Sequence, residues 1–75
     1  MNINDFISAF AEEFDDTPKS DIGPKTVFKE LGEYDSLMSL SILAMIDEIV
    51  GKRVTGDDLR SCQTIEELYN LVINK

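Results

Sequence analysis

The chemistry available to this chain is concentrated in "GEYDSL", residues 32–37, where an aspartate stands directly before a serine at the junction of a polar loop and a long apolar run. A serine in that place can be a nucleophile, the acceptor of a phosphate ester, or simply part of a helix cap. Nucleophilic catalysis needs a base, and the chain has no histidine, so a serine triad built on imidazole is excluded. The same lack, with a single cysteine, excludes a zinc site of the usual Cys/His kind. A helix start, by contrast, leaves backbone N–H groups free and carries partial positive charge, so a phosphate ester on Ser36 would be stabilised there. Any base that activates Ser36 must then come from another protein. The chain reads as a substrate for modification and not as an enzyme. The competing reading is a plain cap, in which Asp35 and Ser36 do no chemistry.

The elements that must position Ser36 follow from periodicity and capping. Ile3, Phe6, Ile7, Phe10 and Phe14 recur at helical spacing and predict a first helix over about residues 3–14, capped by Asn2 or Asn4. "DDTPKSDIGPKT" holds both prolines and reads as a long loop, a feature that is often functional. Val27, Phe28 and Leu31 suggest one helical turn closed by Gly32, with Ile22, Val27 and Phe28 pinning the loop to the core. The longest helix is expected from Ser36 to Val50, with Asp35 as N-cap and Gly51 as a left-handed stop. A turn or two around Asp57–Ser61 follows. Thr64 and Glu67 then read as a capping box opening a last helix to about Ile73. The fold class is all-α: a small four-helix bundle, three main helices and one short, in a single domain spanning residues 1–75.

The long helix carries more apolar residues than one buried face requires. At about 100° per residue, Ile42, Leu43, Met45, Ile46, Ile49 and Val50 form one broad side, read as the core. Leu37, Leu40 and Ala44 fall on another, interleaved with Ser41, Asp47 and Glu48, and this stripe starts beside Ser36. It is either buried against a second neighbour or an exposed docking strip, in which apolar contact is edged by acids that pair with a basic partner.

Charge narrows the partners further. Fifteen acids against seven bases give a formal charge of −8, a field that repels nucleic acid and anionic membranes and attracts basic protein surfaces. Asp15, Asp16, Asp21, Asp57 and Asp58 do not fall in the calcium-loop pattern and read as solvated surface. Cys62 lies on an apolar face and reads as a small buried hydrophobe. With no basic, apolar leader at its start, the chain is expected to be cytoplasmic, and it is expected to act as a monomer.

"LGEYDSLMSLSILAMIDEIVGKRV", followed by "TIEEL", resembles the acyl carrier proteins, small four-helix carriers of fatty acid and polyketide synthesis, and the resemblance covers nearly the whole chain. It implies that Ser36 accepts 4′-phosphopantetheine from coenzyme A through a phosphopantetheinyl transferase, and that acyl groups then ride on the arm's thiol as thioesters. It implies that Asp35 helps bind the transferase's magnesium. It further implies that Leu37, Leu40, Ser41, Ala44, Asp47 and Glu48 dock acyl-loading and synthase enzymes through their basic surfaces. Phe28, Ile46, Val54, Leu59, Cys62 and Leu68 would line the interior that shelters an acyl chain. An aminoacyl, D-alanyl or peptidyl carrier would use the same serine, and an unmodified helical interaction module remains as a reading from another class. Three departures stand out: Ser41 and Met38 occupy positions commonly acidic in the family, and one extra residue lengthens the approach through Glu33-Tyr34. They leave the serine chemistry intact and fit a carrier of a specialised pathway.

Overall fold

The computed structural model describes residues 1–75 and contains four α-helices: α1 (Ile3–Glu12), α2 (Ser36–Val50), α3 (Gly56–Ser61) and α4 (Ile65–Ile73). Two short 3₁₀ turns, Lys19–Asp21 and Phe28–Glu30, lie in the connection between α1 and α2. The helical bundle is the one expected from the sequence, with α2 at the predicted bounds.

Local chemistry explains most of the boundaries. The Asn2 side chain accepts from the Asp5 amide at 2.9 Å and caps α1, so of the two asparagines it is Asn2 that acts. α1 stops at Glu12, short of the expected residue 14. The Glu13 and Phe14 amides bond three residues back, to the Phe10 and Ala11 carbonyls, and this tighter turn still carries Phe14 into the core. α2 ends at Gly51, whose φ of 74° is the left-handed conformation the sequence anticipated.

The cap of α4 departs from the expected pattern. Thr64 accepts from the Glu67 amide as in a capping box, but the Glu67 carboxylate reaches past Thr64 to the Gln63 amide, at 2.8 Å. Thr64 pairs with Val27 in an isolated bridge, and its own amide makes no backbone hydrogen bond. Beside the bridge, the Ile65 and Glu66 amides donate to the Thr26 and Pro24 carbonyls, so the loop itself satisfies free donors at the start of α4. A complete, reciprocal capping box occurs instead at α3, between Thr55 and Asp58.

Fifteen side chains, all apolar or cysteine, form one buried cluster with no buried polar group. α1 supplies Phe6, Phe10 and Ala11, α2 supplies Ile42, Met45 and Ile46, and α4 supplies Ile65, Leu68 and Val72. Each fully buried large side chain contributes about 1.5–3 kcal/mol of transfer free energy. Ile49 was expected in this core and is 39% exposed, while Leu43 and Val50 are half-buried. The reason lies opposite: Ala9 and Glu12 of α1 and the Glu13 that follows face this part of α2, with no large apolar side chain to cover Ile49.

Candidate functional site

Ser36 is the first residue of α2 and is exposed. Asp35 before it is extended, with φ −150° and ψ −173°, and its Oδ1 accepts from the Met38 amide at 2.7 Å. The Asp35 carbonyl takes the Ser39 amide. Asp35 thus satisfies two donors of the first turn and leaves the amides of Ser36 and Leu37 unpartnered within the chain. The Ser36 hydroxyl also makes no hydrogen bond within the chain; its carbonyl accepts from the Ser39 hydroxyl at 2.7 Å. Beyond the cap, the first turn of α2 contains no acid, so its partial positive charge is not cancelled by side chains. Met38, at a position where the resemblance led one to expect an acid, contributes to that.

The approach to Ser36 is held from two sides. Tyr34, half-buried, sets its ring edge-on against Phe28, with centroids 5.6 Å apart. Phe28 in turn meets Phe10 at 5.6 Å, and Phe10 stacks on Phe14 at 5.4 Å. A run of aromatic contacts therefore leads from α1 to the residue before Asp35, each pair adding about 0.5–1.5 kcal/mol beyond area burial. On the other side the Glu33 carboxylate accepts from the Thr17 hydroxyl at 2.6 Å and from the Asp16 amide at 2.9 Å. The Thr17 hydroxyl bond, helped by backbone donors and opposed by partial desolvation, holds the Glu33 carboxyl below the usual glutamate range. Burial pushes the Tyr34 hydroxyl up, against a smaller opposite effect of Arg60.

Sequence reasoning noted Glu33 and Tyr34 only as an extra stretch of chain and missed them as anchors. Glu33 and Thr17 lie sixteen residues apart with no shared periodicity, so no local pattern exposes the clasp.

The second stripe of α2 faces solvent. Leu37 is 73% exposed and Leu40 62% exposed, and Ser41, Ala44, Asp47 and Glu48 are exposed beside them. The alternative in which a neighbour covers Leu37 and Leu40 does not occur. None of the chain's four ion pairs, Glu12–Lys19, Lys25–Glu66, Asp57–Arg60 and Asp58–Lys75, involves Asp47 or Glu48. Lys29 and Lys52 are committed to carbonyls of other elements, at Arg60 and at Ile73 and Lys75.

Phe28, Ile46, Val54, Leu59, Cys62 and Leu68 are all buried in the one core cluster. The two surface hollows lie elsewhere, one between α1 and α2 and one among Met1, Phe6, Val50, Tyr69 and Ile73. Desolvation raises the Cys62 thiol above its ordinary range, as for an inert buried cysteine. No three His, Cys, Asp or Glu side chains come together as a metal site, and no helix is long and apolar enough to cross a membrane.

A comparison with curated proteins and one with solved structures gave no match. A family model described as "phosphopantetheine attachment site" matches residues 4–72, a span that runs from the first turn of α1 to the last turn of α4. The chain therefore belongs to the phosphopantetheine-attachment family: it is a carrier protein, not an enzyme, in a family that bears a covalently attached 4′-phosphopantetheine.

Proposed function

We propose that Ser36 is the residue that bears the arm, and that the chain carries acyl groups on it in fatty acid, polyketide or a related specialised biosynthesis. The observation that carries this reading is a serine hydroxyl, exposed and free of internal hydrogen bonds, at the first position of a fifteen-residue helix with two unpartnered amides. The residues fit the group. A phosphodiester on Ser36 Oγ meets free N–H donors and the positive end of α2, with no acid in the first turn to repel it.

In the transfer, Ser36 Oγ forms a new bond to the phosphorus of the pantetheine phosphate. The pyrophosphate bond of coenzyme A breaks, adenosine 3′,5′-bisphosphate leaves, and the hydroxyl proton passes to a base of the transferase. This chain offers no base beside Ser36 except Asp35, whose Oδ1 is already committed to the Met38 amide. The Asp35 Oδ2 remains open, and in this reading it helps hold the transferase's magnesium. Once attached, the arm supplies a thiol on which a carboxylic acid is held as an electrophilic thioester.

Leu37, Leu40, Ser41, Ala44, Asp47 and Glu48 are assigned to docking of the transferase and of loading and synthase enzymes. Exposed leucines cost solvation unless a partner covers them, and unpaired acids beside them attract basic surfaces. An acyl cargo, in preference to an aminoacyl or peptidyl one, is favoured by the interior. Phe28, Ile46, Val54, Leu59, Cys62 and Leu68 present no polar group to a sheltered chain. The carrier is placed in the cytoplasm, where its one free cysteine stays reduced.

The test is the intact mass of the chain after incubation with coenzyme A, magnesium and a broad-specificity phosphopantetheinyl transferase, with Ser36→Ala alongside. The parent gains one phosphopantetheine and the variant gains none. An equal gain in both would remove Ser36 from the role.

A further inference from the structure

α1 and α2 do not close on each other along their whole length. Between them lies an open groove of about 390 Å³. Its apolar lining, the floor an occupant would meet, is Ala9 of α1 with Ala44, Met45 and Ile49 of α2, and its acidic lining, the rim, includes Glu13 after α1 and Glu48 of α2. Two alanines where larger side chains would pack leave the depth, and the 39% exposure of Ile49 follows from it. The groove adjoins the exposed stripe of α2 and shares Ser41, Ala44 and Glu48 with it, but its other wall belongs to α1.

We infer that this groove is a second docking surface, and that its occupant is a cationic amphipathic helix presented by a partner enzyme. The inference rests on the reading of the chain as a carrier passed between enzymes, and it adds α1 to the surface those enzymes touch. Charge selects the occupant. Neither Glu13 nor Glu48 has an internal cation, and Glu12 at the same rim holds only an exposed Lys19 at 3.2 Å. A second copy of this chain would bring another −8 to the groove, and an anionic membrane would be repelled as well. An apolar side chain seated between Ala9 and Ala44, with lysine or arginine over Glu13 and Glu48, satisfies both the floor and the rim.

The test is an amide-shift titration of the ¹⁵N-labelled full chain with a synthetic helical peptide that carries leucine on one face and lysine on the other. A second peptide of equal charge has serine in place of leucine. With the leucine peptide, shifts are expected to concentrate at Ala9, Glu13, Ala44, Glu48 and Ile49. The double variant Glu13→Gln, Glu48→Gln should weaken binding about fourfold, as for two exposed ion pairs. Ala9→Leu, which fills the floor, should abolish the concentrated shifts while leaving the melting transition in place. Ser36→Ala should bind as the parent does, so a failure of Ser36 to accept the arm and a failure of the groove are read separately. The inference is overturned if the serine peptide gives the same map, if the double variant binds unchanged, or if shifts appear at Leu37 and Leu40 with α1 unmoved.

Discussion

In the proposed function Asp35 does two things with one carboxylate, and substitution can separate them. Its Oδ1 closes the first turn of α2 on the Met38 amide at 2.7 Å, and in the proposed function its charge assists the transferase's magnesium. Asparagine keeps the capping oxygen and removes the charge, whereas alanine removes both. Asp35→Asn should therefore stay within a few tenths of a kcal/mol of the parent in stability, and Asp35→Ala should lose about 1 kcal/mol. Both should be loaded far more slowly by the transferase. Urea unfolding and a time course of intact mass check the pair, and an Asp35→Asn chain loaded at the parental rate would leave the carboxylate as a cap alone. Ser36 is the converse case. Its side chain bonds to nothing in the chain, so Ser36→Ala should barely move the unfolding midpoint.

At the scale of the elements, α2 must end where it does and the loop before it must be held. Gly51 has φ 74° with open space around its missing side chain, and Gly32 has open space without a positive φ. Gly51→Ala should thus cost about 1 kcal/mol and lower Tm by about 5 °C, through backbone strain alone. Gly32→Ala should be near neutral, and differential scanning calorimetry distinguishes them. The Glu33–Thr17 clasp carries a pH dependence. Its carboxyl lies below the ordinary glutamate range when folded, so the stabilisation is present above the unfolded pKa and is lost as pH falls through the folded value. Glu33→Gln should narrow the stability gap between neutral and acidic pH, measured as Tm against pH, and an unchanged profile would mean the clasp does not act.

What could be read beforehand divides along the same line. α2, its cap and its stop were legible because Asp35, Gly51 and the apolar period between them are local signals. The second stripe of Leu37 and Leu40 was legible as an excess of apolar positions over one face, but whether a neighbour covered it was not. The Thr64–Val27 bridge and the Glu33 clasp were not, because each depends on where a distant loop comes to rest. Ile49 was misplaced for a related reason: helical phase puts it on the core side of α2 but does not show that α1 offers only Ala9 there.

For the molecule as a whole, a formal −8 on a small core brings a standing self-repulsion. The four ion pairs are exposed or partly exposed and offset little of it. Added magnesium, or monovalent salt at higher concentration, should raise Tm by on the order of 5 °C by screening that repulsion; a flat response would mean that the acids are already well separated. In the proposed function the same field favours enzymes with basic docking surfaces. A carrier of this kind works by presentation, so everything depends on which atom holds the arm. The most direct measurement is therefore to load the chain with coenzyme A and transferase, digest it with trypsin, and fragment the peptide spanning residues 30–52. That peptide contains Ser36, Ser39 and Ser41 together, so the peptide mass alone does not choose among them. The account predicts the phosphopantetheine on Ser36, with Ser39 and Ser41 unmodified. An arm on either of those serines or elsewhere in the chain, or an unmodified chain beside a control carrier loaded in the same tube, would contradict it.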